Sequence, residues 1–334
     1  MAIVGELIEI DDIREAAGLI AGHVVRTPTV PSPGLTAHFG VPVTTKLELL
    51  QRTGSFKPRG AFRKLLDLSP AERAAGVVAV SGGNHGLAVA DVAGSLGVAA
   101  TVVMPESAPR RSIETARASG ADVRLTPDMA SAFALLDELV AEGKTLVHPF
   151  DDPAVLAAQG TVGLELATDA PEITDVLVSV GGGGLIAGIA VAVCALVPGV
   201  RVWGVETEGA DAMSRALAAG APVPMTPTSI VTTLSAPYVS QLTLDHCRAL
   251  LEDVIVVPDA DAVRGTLTLA ENAKVWAEPA AGCLVPAADQ VLDRVGPDVH
   301  LGLVVCGGNV TAADMAGWVE RFAATPFPAR VPVA

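Results

Sequence analysis

Twenty-five consecutive residues, Val176 to Val200, carry no charge, and four adjacent glycines, Gly181 to Gly184, break the run. An apolar stretch of this length must be weighed as a membrane-spanning helix. The glycines divide it, however, and Pro198 closes it. Val176–Val180 is short and β-branched, as in a buried parallel strand, while Leu185–Leu196 is rich in alanine and reads as a buried helix. A strand, a glycine loop and a helix with apolar flanks on both sides belong in the middle of a large α/β core.

The alternation continues along the chain, which argues for parallel sheets with crossover helices. Val77–Val80 reads as a strand before a helix at Leu87–Ser95; Ala99–Met104 precedes a helix at Arg110–Ala118; Asp122–Leu125 precedes one at Ser131–Glu142. These pairs fit a compact small domain from about 51 to 146. Strands follow at Val200–Val205, Asp253–Val257 and Leu301–Cys306, with a helix at Asp259–Asn272. Residues 1–50 carry an amphipathic helix, Ile10–His23, and a Pro-rich extended segment, Thr27–Pro33, expected to pack on the later domain.

The length of 334 residues allows two domains. Hydrophobic residues make up 50% of the chain and aromatics only 3%, which suits strands and helices packed closely through Ala, Val and Leu. The net charge of −15 argues against nucleic-acid and anionic-membrane partners, which need basic patches. Cys194, Cys247, Cys283 and Cys306 show no CxxC spacing, so neither a disulfide framework nor a zinc site is expected, and a cytoplasmic setting is. Acidic residues stand near the N-terminus where a signal peptide would be basic.

Four segments carry chemistry. Lys57 sits in Thr53-Gly-Ser-Phe-Lys-Pro-Arg-Gly60, a punctuated turn after the strand-like Val43–Leu49. A turn lysine is ordinarily a solvated charge; held beside an aromatic ring, it can also be a Schiff-base nucleophile. Ser81-Gly-Gly-Asn-His-Gly86 follows a strand and opens a helix, where free N–H groups can hold an anion. The plainer reading is a glycine turn. Gly181-Gly-Gly-Gly-Leu-Ile-Ala-Gly188 has the same context and suits a phosphate. Its Gly182-x-Gly184-x-x-Ala187 also fits a dinucleotide fingerprint, with Glu206 lying 24 residues on. That rival, a nicotinamide-dependent oxidoreductase, leaves the lysine and SGGNHG unexplained. Val305-Cys-Gly-Gly-Asn-Val310 is a fourth strand end, where Cys306 is inert core or a neutral partner to a ligand.

Together SFKPRGA, SGGNHG, GGGGLIAG and CGGN, in this order and spacing, resemble the fold-type II pyridoxal-phosphate enzymes, most closely the serine/threonine dehydratase and serine racemase group. Arg26-Thr-Pro, Lys46-Leu-Glu48, His148-Pro-Phe-Asp-Asp-Pro153 and Glu278-Pro-Ala-Ala-Gly282 extend the resemblance over nearly the whole chain. It implies two three-layer α/β/α domains with mostly parallel open sheets, as in the tryptophan synthase β-like fold. Residues 1–50 and 147–334 would form a large cofactor-binding domain and 51–146 a small mobile one.

It also implies roles. Lys57 would carry the cofactor as an aldimine and act as the Cα base. Phe56 would pack on the cofactor ring, and Asn84 would hydrogen-bond the pyridoxal 3′-oxygen. Gly181, Gly182, Gly183, Gly184 and Leu185 would hold the phosphate, and Glu278 and Cys306 would complete the cofactor site, Cys306 facing the pyridine nitrogen. Ser81, Gly82, Asn84 and His85 would bind substrate. Glu206 and the Ala210 carbonyl match a mono- or divalent cation site. A homodimer is implied as well, with Thr232–Tyr238 near the substrate side chain. No fused regulatory module is expected, because the chain ends about 25 residues after CGGN.

Two departures refine this. Gly82 stands where racemases of the group place a serine, the acid/base on the face opposite the lysine, so elimination without efficient racemisation is expected. Ala212 stands where cation-dependent relatives place an acid, which puts a divalent ion in doubt. The expected reaction is α,β-elimination from a hydroxy amino acid such as L-threonine or L-serine, giving a 2-oxo acid and ammonia. A serine racemase, a β-replacement synthase on the same scaffold, and a non-catalytic binding protein remain as alternatives.

Overall fold

A computed structural model describes residues 7–330. Its strands are β1 (Thr29–Pro31), β2 (Val43–Leu47), β3 (Val77–Val80), β4 (Ala100–Pro105), β5 (Asp122–Thr126), β6 (Thr145–Leu146), β7 (Asp175–Ser179), β8 (Arg201–Thr207), β9 (Asp253–Val257) and β10 (Leu301–Val305). They form two sheets, β1-β2-β10-β7-β8-β9 and β5-β4-β3-β6. Every pairing is parallel except β1 with β2. The central strands β2, β7 and β10 are buried at every position. Their lack of hydrophobic alternation follows from having both faces covered by helices.

Most expected elements form within a residue or two of the expected bounds. The β10–β2 register, Leu301 opposite Val43, ties the segment that precedes the smaller sheet to the strand that comes last in sequence. Thr27–Pro33 contains the antiparallel edge strand β1, a place where proline is tolerated. The strand expected through Leu49 stops at Leu47 and continues as a single 3₁₀ turn, Glu48–Leu50. The helix from Asp259 ends at Thr268 and runs on as a π turn to Ala273.

The helix Pro153–Asp169 was not anticipated. Its start follows local rules, with the Asp152 carboxylate accepting from Ala154 N and proline in the first turn. It is apolar around most of its circumference because it lies between other helices, so it has no amphipathic period to read. Glycines let it approach the helix Gly184–Leu196 closely: a Cβ on Gly188 would stand 2.3 Å from Leu156 O.

Beside this contact lies a buried ion cluster. Arg59 and Lys46 are fully buried. Arg59 donates to Glu48 at 2.8 and 2.9 Å, to Glu165 at 2.7 and 2.9 Å, and to Thr161 Oγ1 at 3.0 Å. Lys46 donates to Glu165 at 2.5 Å and to Thr27 O at 2.7 Å. Thr27 adds a short hydrogen bond to Glu48. Burial alone would raise the Glu48 carboxyl; Arg59, Thr27 and Lys46 instead hold it below its ordinary value. The cluster joins the end of β2 to the helices Pro58–Leu66 and Pro153–Asp169. Replacing one member leaves its partners buried and uncompensated. Arg59→Leu is therefore expected to destabilise the protein by about 3–5 kcal/mol, read as a fall in the urea unfolding midpoint.

Candidate active site

Parallel strands deliver their following loops to one edge of the sheet, and ligands bind there. Because β2, β10 and β7 are neighbours, the Lys57 turn, the Cys306–Asn309 loop and the glycine loop Gly181–Gly184 emerge side by side. The first two loops are stitched together. Ser55 forms a bridge with Gly307, Phe56 N donates to Cys306 O at 3.1 Å, and Gly308 N donates to Gly54 O at 2.9 Å. The second sheet contributes Ser81–Asn84 after β3, Pro105–Pro109 at the end of β4, and His148 beyond β6. Residues from each of these segments line a cavity of about 800 Å³ between the two sheets.

The cavity holds every residue proposed above for cofactor or substrate: Phe56, Lys57, Ser81, Gly82, Asn84, His85, Gly181 to Gly184, Leu185, Glu278 and Cys306. The Thr232–Tyr238 segment lines it as well. Among the described residues Lys57 is the one lysine or arginine in its wall. Lys57 Nζ donates to Pro149 O at 3.2 Å and lies 5.0 Å from the Phe56 ring centroid. Burial pushes its amine down to about 8. At neutral pH an appreciable fraction is then unprotonated, as a nucleophile or base requires.

The glycine loop is built for a ligand that approaches the backbone. Gly183 has φ +90°, and a Cβ on Gly182 would stand 2.1 Å from the Phe150 ring. The first intrahelical bond of the helix that follows is Ala187 N to Gly183 O, so the N–H groups of Gly184, Leu185 and Ile186 precede it. Asn84, His85 and Gly86 have the same position in the helix Asn84–Leu96, whose first bond is Leu87 N to Gly83 O. The cavity is thus faced by two helix N-termini, both suited to anions.

Polar side chains around these termini are held in place. Asn84 Nδ2 donates to both Glu278 oxygens, at 3.0 and 3.2 Å. Asn309, which the sequence reading left without a role, donates to Asn84 Oδ1 at 2.7 Å and to Thr53 O at 2.7 Å. Burial raises the Glu278 carboxyl, opposed by bonds from Asn84 and Asn309 N. Ser179 Oγ donates to Cys306 Sγ at 3.3 Å, and burial pushes the Cys306 thiol up to about 12, so it stays neutral. The His85 ring is also neutral: burial, then the charge of Lys57, pushes it down to about 3. Its Nε2 lies 2.8 Å from Val147 O. Hydrogen-bonded there, that nitrogen is already engaged, so the segment offers a carboxylate backbone N–H groups and the Ser81 hydroxyl.

Glu206 and Ala210 lie outside the cavity wall. The Glu206 carboxylate accepts from Met213 N at 2.7 Å, Ser214 N at 2.9 Å and Ser214 Oγ at 2.7 Å, while burial pushes it up to about 7. Asp211 is turned to Arg215 at 3.0 Å, and Ala212 offers only a methyl group. Among the described residues no three His, Cys, Asp or Glu side chains gather as metal ligands. One carboxylate already engaged by a helix N-terminus, with one carbonyl nearby, does not fit a resident divalent ion.

A family model described as "Pyridoxal-phosphate dependent enzyme" matches residues 20–307. The chain belongs to this family. It is 39% identical over 308 residues to an L-threonine ammonia-lyase of Thermotoga maritima, covering 91% of this chain and 76% of that one. It is 38% identical over 316 residues to a phenylserine dehydratase of Ralstonia pickettii, covering 91% and 95%. Among solved structures, maize serine racemase superposes with a TM-score of 0.88 at 33% identity, covering 95% of this chain and 98% of that one. The cofactor is therefore pyridoxal phosphate, and the dinucleotide reading of Gly182–Ala187 falls. Its supposed ribose acid, Glu206, is bound to a helix N-terminus instead. The glycine-loop geometry predicts that Gly182→Ala, which must displace Phe150, costs about 1–3 kcal/mol in chemical unfolding.

Proposed function

We infer that the protein is a pyridoxal-phosphate-dependent ammonia-lyase acting on a 3-hydroxy amino acid such as L-threonine or L-serine. The products are a 2-oxo acid and ammonia. The observation that carries this reading is the single cavity amine, Lys57, lowered to about 8 and set among strand-end loops that present two helix N-termini. The cavity fits the cofactor. The glycine loop gives N–H groups for a phosphate without a side chain in the way, and Phe56 and Cys306 offer a ring contact and a neutral thiol. Gly181–Gly184 and Leu185 would hold the phosphate, with Asn84 and Glu278 completing the cofactor site.

When bound, pyridoxal phosphate supplies the electron sink that acidifies the substrate Cα–H. Ser81 Oγ and the N–H groups of residues 84–86 orient the substrate α-carboxylate. Lys57 Nζ takes the Cα proton and is then able to deliver a proton to the departing β-hydroxyl. The neutral Cys306 thiol would meet the cofactor ring without itself supplying a negative charge to hold a proton on the ring nitrogen. Asn309 and Glu278 keep Asn84 in one orientation. Release of the enamine and its hydrolysis complete the reaction.

Residues 51–146 are proposed to act as a small mobile domain over a large domain of residues 1–50 and 147–334. The separate sheets on either side of the cavity support this. A cytoplasmic location is supported by four free cysteines. No described helix is long and apolar enough to cross a membrane. A homodimer rests on the family resemblance.

Ammonia release from L-threonine and L-serine tests the reading. The wild-type holoenzyme is expected to release it, and Lys57→Ala is expected to lose at least about a hundredfold in rate; full turnover in that variant would overturn the assignment. The opposite face of the site gives a second prediction. Gly82 has no side chain, and a Cβ there would stand 2.8 Å from Ala108 Cβ, so no acid/base occupies this position. Chiral chromatography of L-serine incubations is expected to show pyruvate without D-serine.

A further inference from the structure

The side of the cavity formed by the smaller sheet contains large apolar side chains that the elimination chemistry does not use. On the helix Met129–Ala141, Met129, Phe133 and Leu136 follow the spacing i, i+4, i+7 and share one face. All three line the cavity, joined by Leu146 at the end of β6. Met129 and Phe133 are 42% and 39% exposed and adjoin on one face inside the cavity, a contiguous apolar patch of the kind that marks a binding site. Across the cavity, Phe150 and Tyr238 meet edge to face with centroids 5.8 Å apart. Tyr238 belongs to the segment expected near the substrate side chain. Lys57 is the sole lysine or arginine in the described lining, and it is committed to the chemistry at Cα.

We propose that this bay receives the substituent on the substrate's β-carbon, and that the preferred substrate carries a bulky, uncharged apolar group there. An aryl ring or a branched alkyl chain fits, in place of the hydrogen of serine or the methyl of threonine. The inference rests on the elimination reading above and narrows it. A methyl group would leave Met129 and Phe133 in water. A second carboxylate would enter a bay without a cation and be desolvated unpaired. An aryl ring would replace water on both walls, and burying a group of that size is worth a tenfold or greater gain.

The test is ammonia release by the holoenzyme from L-threo-3-phenylserine, 3-hydroxyleucine, L-threonine and L-threo-3-hydroxyaspartate. The expected order of kcat/KM puts the first two at least tenfold above threonine and the dicarboxylate last. Phe133→Ala is expected to lower the phenylserine-to-threonine ratio about tenfold, mainly through KM for phenylserine, and Met129→Ala to lower it in the same direction. Phe133→Arg is expected to raise 3-hydroxyaspartate turnover relative to phenylserine. Threonine preferred over both bulky substrates, or a ratio unmoved by Phe133→Ala and Met129→Ala, overturns this inference alone. Ammonia from none of the four substrates overturns the elimination reading together with it.

Discussion

The position of Lys57 depends on a cluster of four charges centred two residues further on, three of them fully buried and the fourth, Glu165, nearly so. Arg59 and Lys46 are balanced by Glu48 and Glu165, and each cation is met by carboxylate and neutral acceptors. Removing such groups from water is expensive, and close, saturated geometry is what offsets it. The return is positional. Arg59 fixes the start of the helix Pro58–Leu66 against the end of β2 and the middle of the helix Pro153–Asp169. On the other side of Lys57, the Ser55–Gly307 bridge and the Phe56–Cys306 hydrogen bond fix the turn to the end of β10. The lysine is held from both directions, with only its own side chain free to reach the cavity.

Sheet order then does the rest of the assembly. Residues near 57, 182 and 306 are far apart in the chain but follow β2, β7 and β10, which are adjacent. Lys57, a helix N-terminus suited to anions and a neutral thiol are brought to one edge by strand pairing alone. The smaller sheet brings a second helix N-terminus to the facing side.

Much of this was legible from the sequence because parallel α/β folds write it locally. Each buried strand is a short β-branched run, and each glycine cluster sits where a strand ends and a helix begins. The cofactor followed from four such clusters taken together. What could not be read were features set by distant partners. The helix Pro153–Asp169 is covered on most sides, so its burial erased the periodicity that would have marked it. Lys46 and Glu48 were visible as charges in an apolar segment, yet nothing local paired them with Arg59 and Glu165. Asn309 stood inside a recognised motif, but its role depends on Asn84, 225 residues away. The surroundings of Glu206 were illegible for a similar reason: its carboxylate accepts from Met213 N, Ser214 N and Ser214 Oγ, partners that nothing in the local sequence announces.

The distribution of charge in the cavity unites these features. Four ionisable groups lining the cavity are driven by burial toward their neutral forms: Lys57 is lowered, His85 is lowered further, and Cys306 and Glu278 are raised. Anion binding is left to backbone N–H groups, which cannot titrate and need no counter-charge. A cavity arranged in this way is suited to anions at its two helix ends, and it keeps an appreciable fraction of the Lys57 amine unprotonated at neutral pH. Among the described residues no second lysine or arginine lines the cavity. Whatever occupies the remaining volume must satisfy walls of Met129, Phe133, Phe150 and Tyr238 without bringing charge of its own, so selectivity on the β-carbon is set by apolar contact.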